Sequence, residues 1–355
     1  DICCMTNSFT SFSPNEKRRV VVTINRLSQT LFFSMLVLTS VFLMNCSDDS
    51  GTAKAKLNNL YTFSGGPSGG TFQYYASAIA TIGQKQGQKL LARSSGGSIE
   101  NIRLVNSQKA DFAVAYSGHV YAGSQGSLKN DKVKYTEVLV LAYLYGAPAQ
   151  LVVKAKSGIN QPLELVGKRV GVGNAGSGAA ANAEIYFSAL GIWDEMDREF
   201  LGYRNAATGL QNGQLDAFWV FTGYPSASIL EVAMQTDIRL LDTYSAGEQV
   251  GLFNQNPFFT EVTVPANTYK GQTSDIPSFQ DGALLVANSK VSDEVVYQIL
   301  AAVYNPEGLA YMVSVHNSAK SMAVGSGLKG VVTEIHPGAL KFWQEKGISI
   351  PALAD

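Results

Sequence analysis

From residue 57 onward, short apolar runs alternate with stretches in which apolar residues recur every three or four positions. That is the pattern of strands alternating with helices. "LYTF" predicts a first strand, and Phe72, Tyr75, Ala76, Ile79 and Ile82 follow it at helical spacing. "KLLARS" and "ADFAVAYS" predict two more strands, with the helix "SIENIRLVNS" between them and Ser98 as its N-cap. "VLVLAYLYGAPAQLVVKA" is a long extended run, predicted to break near Gly146 and Pro148. A second unit repeats the alternation. "KRVGVG" predicts a strand, Ala183, Tyr186, Phe187 and Leu190 a helix, "REFLGY" a strand, and "ATGLQNGQLDAFWVF" a short helix and a strand. "ASILEVAM" then reads as a helix, "IRLL" and "GALLVANS" as strands, and "DEVVYQILAAVY" and "GALKFWQEKG" as closing helices. The fold class predicted is α/β.

Three glycine- and serine-rich loops fall at strand-to-helix junctions: "FSGGPSGGTF" from Phe63, "RSSGGSIEN" from Arg93 and "GVGNAGSGAAAN" from Gly171. A helix start offers free backbone N–H groups and a partial positive charge. Small residues ahead of it let an anionic oxygen approach. Read without a ligand, the same loops are ordinary tight turns.

The first residues follow another pattern. Lys17, Arg18, Arg19 and Arg26 precede the uncharged run "LFFSMLVLTSVFLM", which is shorter than the roughly 20 residues of a spanning helix. This is the layout of a secretory signal. Cys46, in "FLMNCSDDS", resembles the acylated cysteine of a bacterial lipobox, although Asn45 stands where a small residue is usual. Residues 1–46 are therefore expected to form an export segment and 47–56 a flexible linker, with Cys46 lipidated; a plain signal peptide or an uncleaved anchor is the alternative. Cys3, Cys4 and Cys46 all lie in or before this segment, leaving no thiol downstream for a disulfide or a metal. His119, His316 and His336 are too scattered for a zinc site and read as structural. A net charge of −1 argues against nucleic acid as a partner.

Two enzyme motifs require weighing. Gly66-Pro67-Ser68-Gly69-Gly70 is a literal G-x-S-x-G, and Ser68 precedes Asp275, Asp281, His316 and His336 in the order of a hydrolase triad. It would, however, sit on the first strand of the domain, whereas the hydrolase fold places strands and an oxyanion loop before it. Gly171 to Gly176 is a literal G-x-G-x-x-G, but "REFLGY" ends in Gly202-Tyr203 and not in the acidic residue a dinucleotide requires. The expectation is a protein that is not an enzyme and uses no cofactor or metal.

Taken in order, "SGGPSGGTF", "SSGGSIENIRLVNSQKADFAVAYSG", "GKRVGVGNAGSG", "GLQNGQLDAFWVFTGYPSASI", "VPANTYKGQTSDIP" and "HPGALKFWQEKG" resemble the TAXI-type solute-binding proteins, extracytoplasmic receptors of TRAP secondary transporters. The resemblance implies a periplasmic-binding-protein type II fold, with two lobes joined by two extended crossing strands and a ligand cleft between them. Lobe 1 would be residues 57–145 and 263–355, and lobe 2 residues 146–262. "YLYGAPAQLVV" would cross outward and "FTEVTVPANTY" return. The ligand would be a small organic anion, a carboxylate such as glutamate, delivered to a TRAP membrane subunit. A surface binding lipoprotein without a transporter, or a hydrolase using Ser68, is the alternative. By the same resemblance Ser68, Gly69, Gly70, Thr71 and Phe72 form one wall of the site, with Ser98, Asn101, Tyr116 and Ser117 beside them. Asn174, Ala175, Gly176, Ser177, Gly178 and Ala179 cap the ligand from lobe 2, and Thr222, Gly223, Tyr224 and Pro225 form its other edge. Relatives often carry threonine at the position of Ala179 and glutamine near Tyr116. A monomer in the periplasm or cell envelope, tethered through Cys46, is expected.

Overall fold

The computed structural model describes residues 60–352; Cys46, the export segment and the linker lie outside them. The chain begins with β1 (Leu60–Ser64), α1 (Thr71–Lys85), β2 (Lys89–Arg93), α2 (Ser98–Asn106), β3 (Phe112–Tyr116) and α3 (Ser117–Gln125). The long strand β4 (Val138–Lys154) follows. Next come β5 (Arg169–Gly171), α4 (Gly178–Ala189), β6 (Asp197–Glu199), α5 (Tyr203–Gln211), β7 (Ala217–Phe221), α6 (Ala227–Gln235) and β8 (Ile238–Leu241). Short helices α7 (Tyr244–Gln249) and α8 (Leu252–Gln255) lead to β9 (Thr260–Val264) and β10 (Ile276–Asn288). Helices α9 (Asp293–Val303), α10 (Pro306–Val315) and α11 (Pro337–Glu345) complete the described chain.

The strands run in the order β2-β1-β3-β10-β4-β7-β5-β6, with β8 against β4 and β9 against β10. β1 is parallel to β2 and β3, and β5 is parallel to β6 and β7. Each parallel group carries its own helices. β4 joins them: it pairs antiparallel with β10 over Val138 to Pro148 and with β7 over Ala149 to Val153. The result is a two-half α/β architecture, which matches the expected fold class.

β4 is not broken at Gly146 and Pro148, as the sequence pattern predicted; it runs unbroken for 17 residues. Pro148 falls where β4 exchanges β10 for β7, a place where a missing N–H costs little of the ladder. The strand that returns along β4 is β10, and the "FTEVTVPANTY" segment supplies only the short β9 beside it. Helix α10 has no counterpart among the predicted elements. Its start is nonetheless conventional, with Pro306 in the first turn and Asn305 Oδ1 accepting from the Gly308 N–H at 2.8 Å.

The core follows the pattern of alternation. β3 and β7 are buried along their whole length, as strands covered on both faces must be. Trp219, Phe221, Tyr186 and Phe279 pack ring on ring in the second half, and Tyr75, Tyr145, Phe72 and Tyr116 do so in the first.

Candidate functional site

Three helix starts meet. α1 begins at Thr71 after Gly70, and α2 begins at Ser98 after Gly97. α4 begins at Gly178 after Ser177, whose Oγ accepts from the Ala180 N–H at 3.1 Å. Gly97 occupies the N-cap position with φ of 108°, a conformation glycine reaches without steric cost. Ser98 is thus the first helical residue and not the cap that the sequence suggested.

The first two starts face the third across a cavity of about 20 Å³. That is room for about one water molecule. Pro67, Gly70, Thr71, Phe72, Gly96, Gly97, Ser98 and Tyr116 line it from the first half, and Asn174, Ser177, Gly178, Ala179, Gly202, Tyr203 and Thr222 from the second. No lysine or arginine is among them. Arg103 is paired with Asp131 at 2.7 Å and Arg204 with Glu231 at 3.5 Å. The positive end of the site is therefore built from helix dipoles and first-turn amides, which have no intrahelical acceptors.

The two halves touch around this cavity. Thr222 Oγ1 accepts from the Thr71 N–H at 3.1 Å and donates to Thr71 Oγ1 at 2.9 Å. Tyr116 Oη donates to the Phe221 carbonyl at 2.5 Å, and Tyr203 Oη donates to the same oxygen at 2.9 Å. The Tyr145 phenol is fully buried beside these threonines, and burial drives its pKa well above the ordinary value, more than the threonines lower it. Gly178 approaches so closely that a Cβ there would stand 2.6 Å from Ser98 Cβ and 2.8 Å from His119 Nδ1. This position requires glycine because the opposite half of the molecule fills the space.

Ser98 Oγ accepts from the Tyr116 N–H at 2.9 Å and shares a second hydrogen bond with His119 Nδ1 at 3.1 Å. Burial pushes the His119 pKa down to about 4, and the nearby Asn182 side chain opposes this more weakly. His119 Nε2 and both amide atoms of Asn182 are buried without hydrogen-bond partners.

A fourth helix start takes a different course. Asp281, on β10, accepts from Ser117 Oγ at 2.5 Å and from the Gly118 N–H at 3.2 Å, so a carboxylate of the chain itself fills the start of α3. Burial raises the Asp281 carboxyl to about 7 against these bonds, which lower it less.

The sequence-derived residues separate on this geometry. Gly70, Thr71, Phe72, Ser98, Tyr116, Asn174, Ser177, Gly178, Ala179 and Thr222 converge on the cavity. Ser68 and Gly69 stand on the outer part of the first turn, and Ala175 and Gly176 are exposed. Asn101 is spent on structure, donating to the carbonyls of Gly65 and Val114 and accepting from Ser64 Oγ at 2.8 Å. Ser117 serves Asp281. Gly223 packs against Ser318 and Thr71, while Tyr224 and Pro225, joined by a cis bond, follow outside the lining. Pro67, Gly96, Gly97, Gly202 and Tyr203 line the cavity without having been singled out. Gly202-Tyr203 reads as a strand end in sequence, yet it is the start of α5. Ser68 is exposed, and among the described residues no histidine or carboxylate is hydrogen-bonded to it. His316 instead bonds Ser318 through Nδ1 at 2.8 Å, and His336 accepts from Gly338 and bonds the Val291 carbonyl.

Solved structures share this general arrangement at low identity. The alkanesulfonate-binding protein SsuA from Xanthomonas axonopodis pv. citri, bound to MOPS, is 14% identical over 81% of this chain and 90% of that one, with a TM-score of 0.46. MatC from Rhodopseudomonas palustris with bound malate is 15% identical over 73% and 88%, with a TM-score of 0.48. The substrate binding protein of an amino acid ABC transporter is 12% identical over 72% and 97%, with a TM-score of 0.46. Their ligands are theirs alone. The family match covers residues 63–347, which takes in all the loops of the cavity: the chain belongs to the NMT1-like family.

Proposed function

We propose that this protein is an extracytoplasmic solute receptor that captures a small organic acid between its two halves and releases it unchanged. The observation that carries this reading is the convergence of the α1, α2 and α4 starts, from both halves, on one cavity without cations. Such a site suits a carboxylate held by backbone N–H groups and hydroxyls. Membership of the NMT1-like family and the two-half fold support a receptor over an enzyme. Lobe 1 is then residues 57–145 and 263–355, and lobe 2 residues 146–262. The resemblance to TAXI-type receptors makes a TRAP-type permease the partner, glutamate the first ligand to test, and Cys46 the tether to the cell envelope. Among the described residues no helix is long and apolar enough to cross a membrane.

Glutamate is many times larger than one water, so its capture separates the Thr71–Thr222 contact. Calorimetry of the ligand-stripped protein against glutamate, glutamine and small keto and hydroxy acids tests the reading. Stoichiometric binding of one of these acids, recovered intact, is the expected result. Turnover of the bound ligand that is abolished by Ser68→Ala would instead establish a hydrolase.

A further inference from the structure

The cavity at the helix starts does not stand alone. A second cavity of about 570 Å³ lies beside it, also between the two halves, and Ser177 lines both. The contact of Gly178 with Ser98 and His119 divides them. The larger cavity has the size of a small-molecule site. Ile99, Ala122 and Leu128 from the first half and Ala181, Ile185 and Phe200 from the second give it an apolar side, with Arg103, Ser127, Asn130 and Ser188 elsewhere around it. Lys129 Nζ meets Glu184 Oε1 at 2.5 Å across the two halves.

The dividing contact also contains an unpartnered polar atom. His119 is about 95% buried and lines the larger cavity, and its Nε2 has no hydrogen-bond partner. The Asn182 amide, fully buried on α4, lies beside His119 and lines neither cavity. Buried polar groups of a native protein are rarely left without a partner, because each costs the loss of its water. A polar ring nitrogen where a helix-start cradle meets a partly apolar chamber suits a polar group seated at that junction.

We infer that the ligand is a carboxylic acid with an apolar tail. Its carboxylate lies at the starts of α2 and α4, beside His119, and its tail occupies the neighbouring cavity. This rests on the receptor reading and narrows its ligand class from compact acids to chain acids.

The test is calorimetry of the ligand-stripped protein against acetate, butyrate, hexanoate and octanoate, with glutamate alongside. Affinity is expected to rise about threefold to fourfold with each methylene, the increment for burying that group. Ala181→Phe and Ala122→Phe, which fill the chamber from opposite walls, should each remove the gain from butyrate to octanoate and leave acetate binding as it was. The second variant guards against a folding defect in the first. Acetate or glutamate binding with no gain along the series would overturn the tail site and leave the receptor reading standing. A gain that persists in both variants would place the tail elsewhere and also overturn it. Failure of every acid to bind the wild-type protein would remove the receptor reading and this inference together.

Discussion

Two helix starts in this molecule look alike in sequence and behave differently. α4 follows Ser177 and opens on Gly178; α3 opens on Ser117 and Gly118. Both offer small residues, a hydroxyl and first-turn amides. At α4 the opposing surface is Ser98 and His119, with no charge of their own to give. At α3 the opposing surface is Asp281, whose carboxyl group fills the place from within the chain. The first start is free for a ligand and the second is already occupied. An anion-binding loop is thus defined as much by what faces it as by its own residues.

The largest expected effect breaks the free start. Gly178→Val puts a branched side chain where Ser98 and His119 already stand, so the halves cannot close on an acid. Affinity for any acid that binds the wild type should fall by at least about 100-fold, equivalent to about 2.7 kcal/mol. The melting temperature should fall too, since the clash is present in the closed structure, and circular dichroism should show the fold retained. Normal acid binding by this variant would dismiss the α4 start as part of the site.

The next effect concerns the occupied start. The Asp281 carboxyl ionises at about 7 in the folded protein, above its ordinary 3.8, so between these values the folded state holds more protons than the unfolded state. Stability contributed by the protonated acid is full below about pH 4 and declines as pH rises to about 7. Asp281→Asn should remove that decline. Denaturant unfolding of both proteins from pH 4 to pH 8 should show curves that diverge as the wild type weakens. Parallel curves would mean that Asp281 ionises normally.

The smallest effects separate the two serines. Ser177→Ala loses the cap of α4, at a cost of about 1 kcal/mol in stability, and should also weaken acid binding several-fold. Ser117→Ala loses a donor to Asp281, costing about 1–2 kcal/mol, and should leave acid affinity unchanged. Equal effects of the two on binding would erase the distinction between the starts.

Much of this was legible in the chain. The loops before Thr71, Ser98 and Gly178 announce themselves by small residues between an apolar run and a helical period, and all three reach the cavity. Local chemistry sufficed because a strand and the helix that follows it fix where their turn points. What escaped depends on distant partners. Asp281 takes Ser117 out of the site from 164 residues away, and nothing near either residue signals it. Asn101 reads as a ligand contact until Ser64, Gly65 and Val114 claim all its hydrogen bonds. Tyr203 was missed for another reason: "REFLGY" has the composition of a strand, but pairing with β5 ends at Glu199, and the tyrosine opens a helix instead.

The threonine pair described at the cavity has a selective consequence. Thr222 already satisfies both the amide and the hydroxyl of Thr71. A molecule entering the cleft therefore gains only by the difference between its contacts and those it displaces. A compound that replaces one of the two bonds recovers little. The pair acts as a threshold, admitting ligands that satisfy both positions and filtering out the many partial mimics that a cradle of bare amides would otherwise retain.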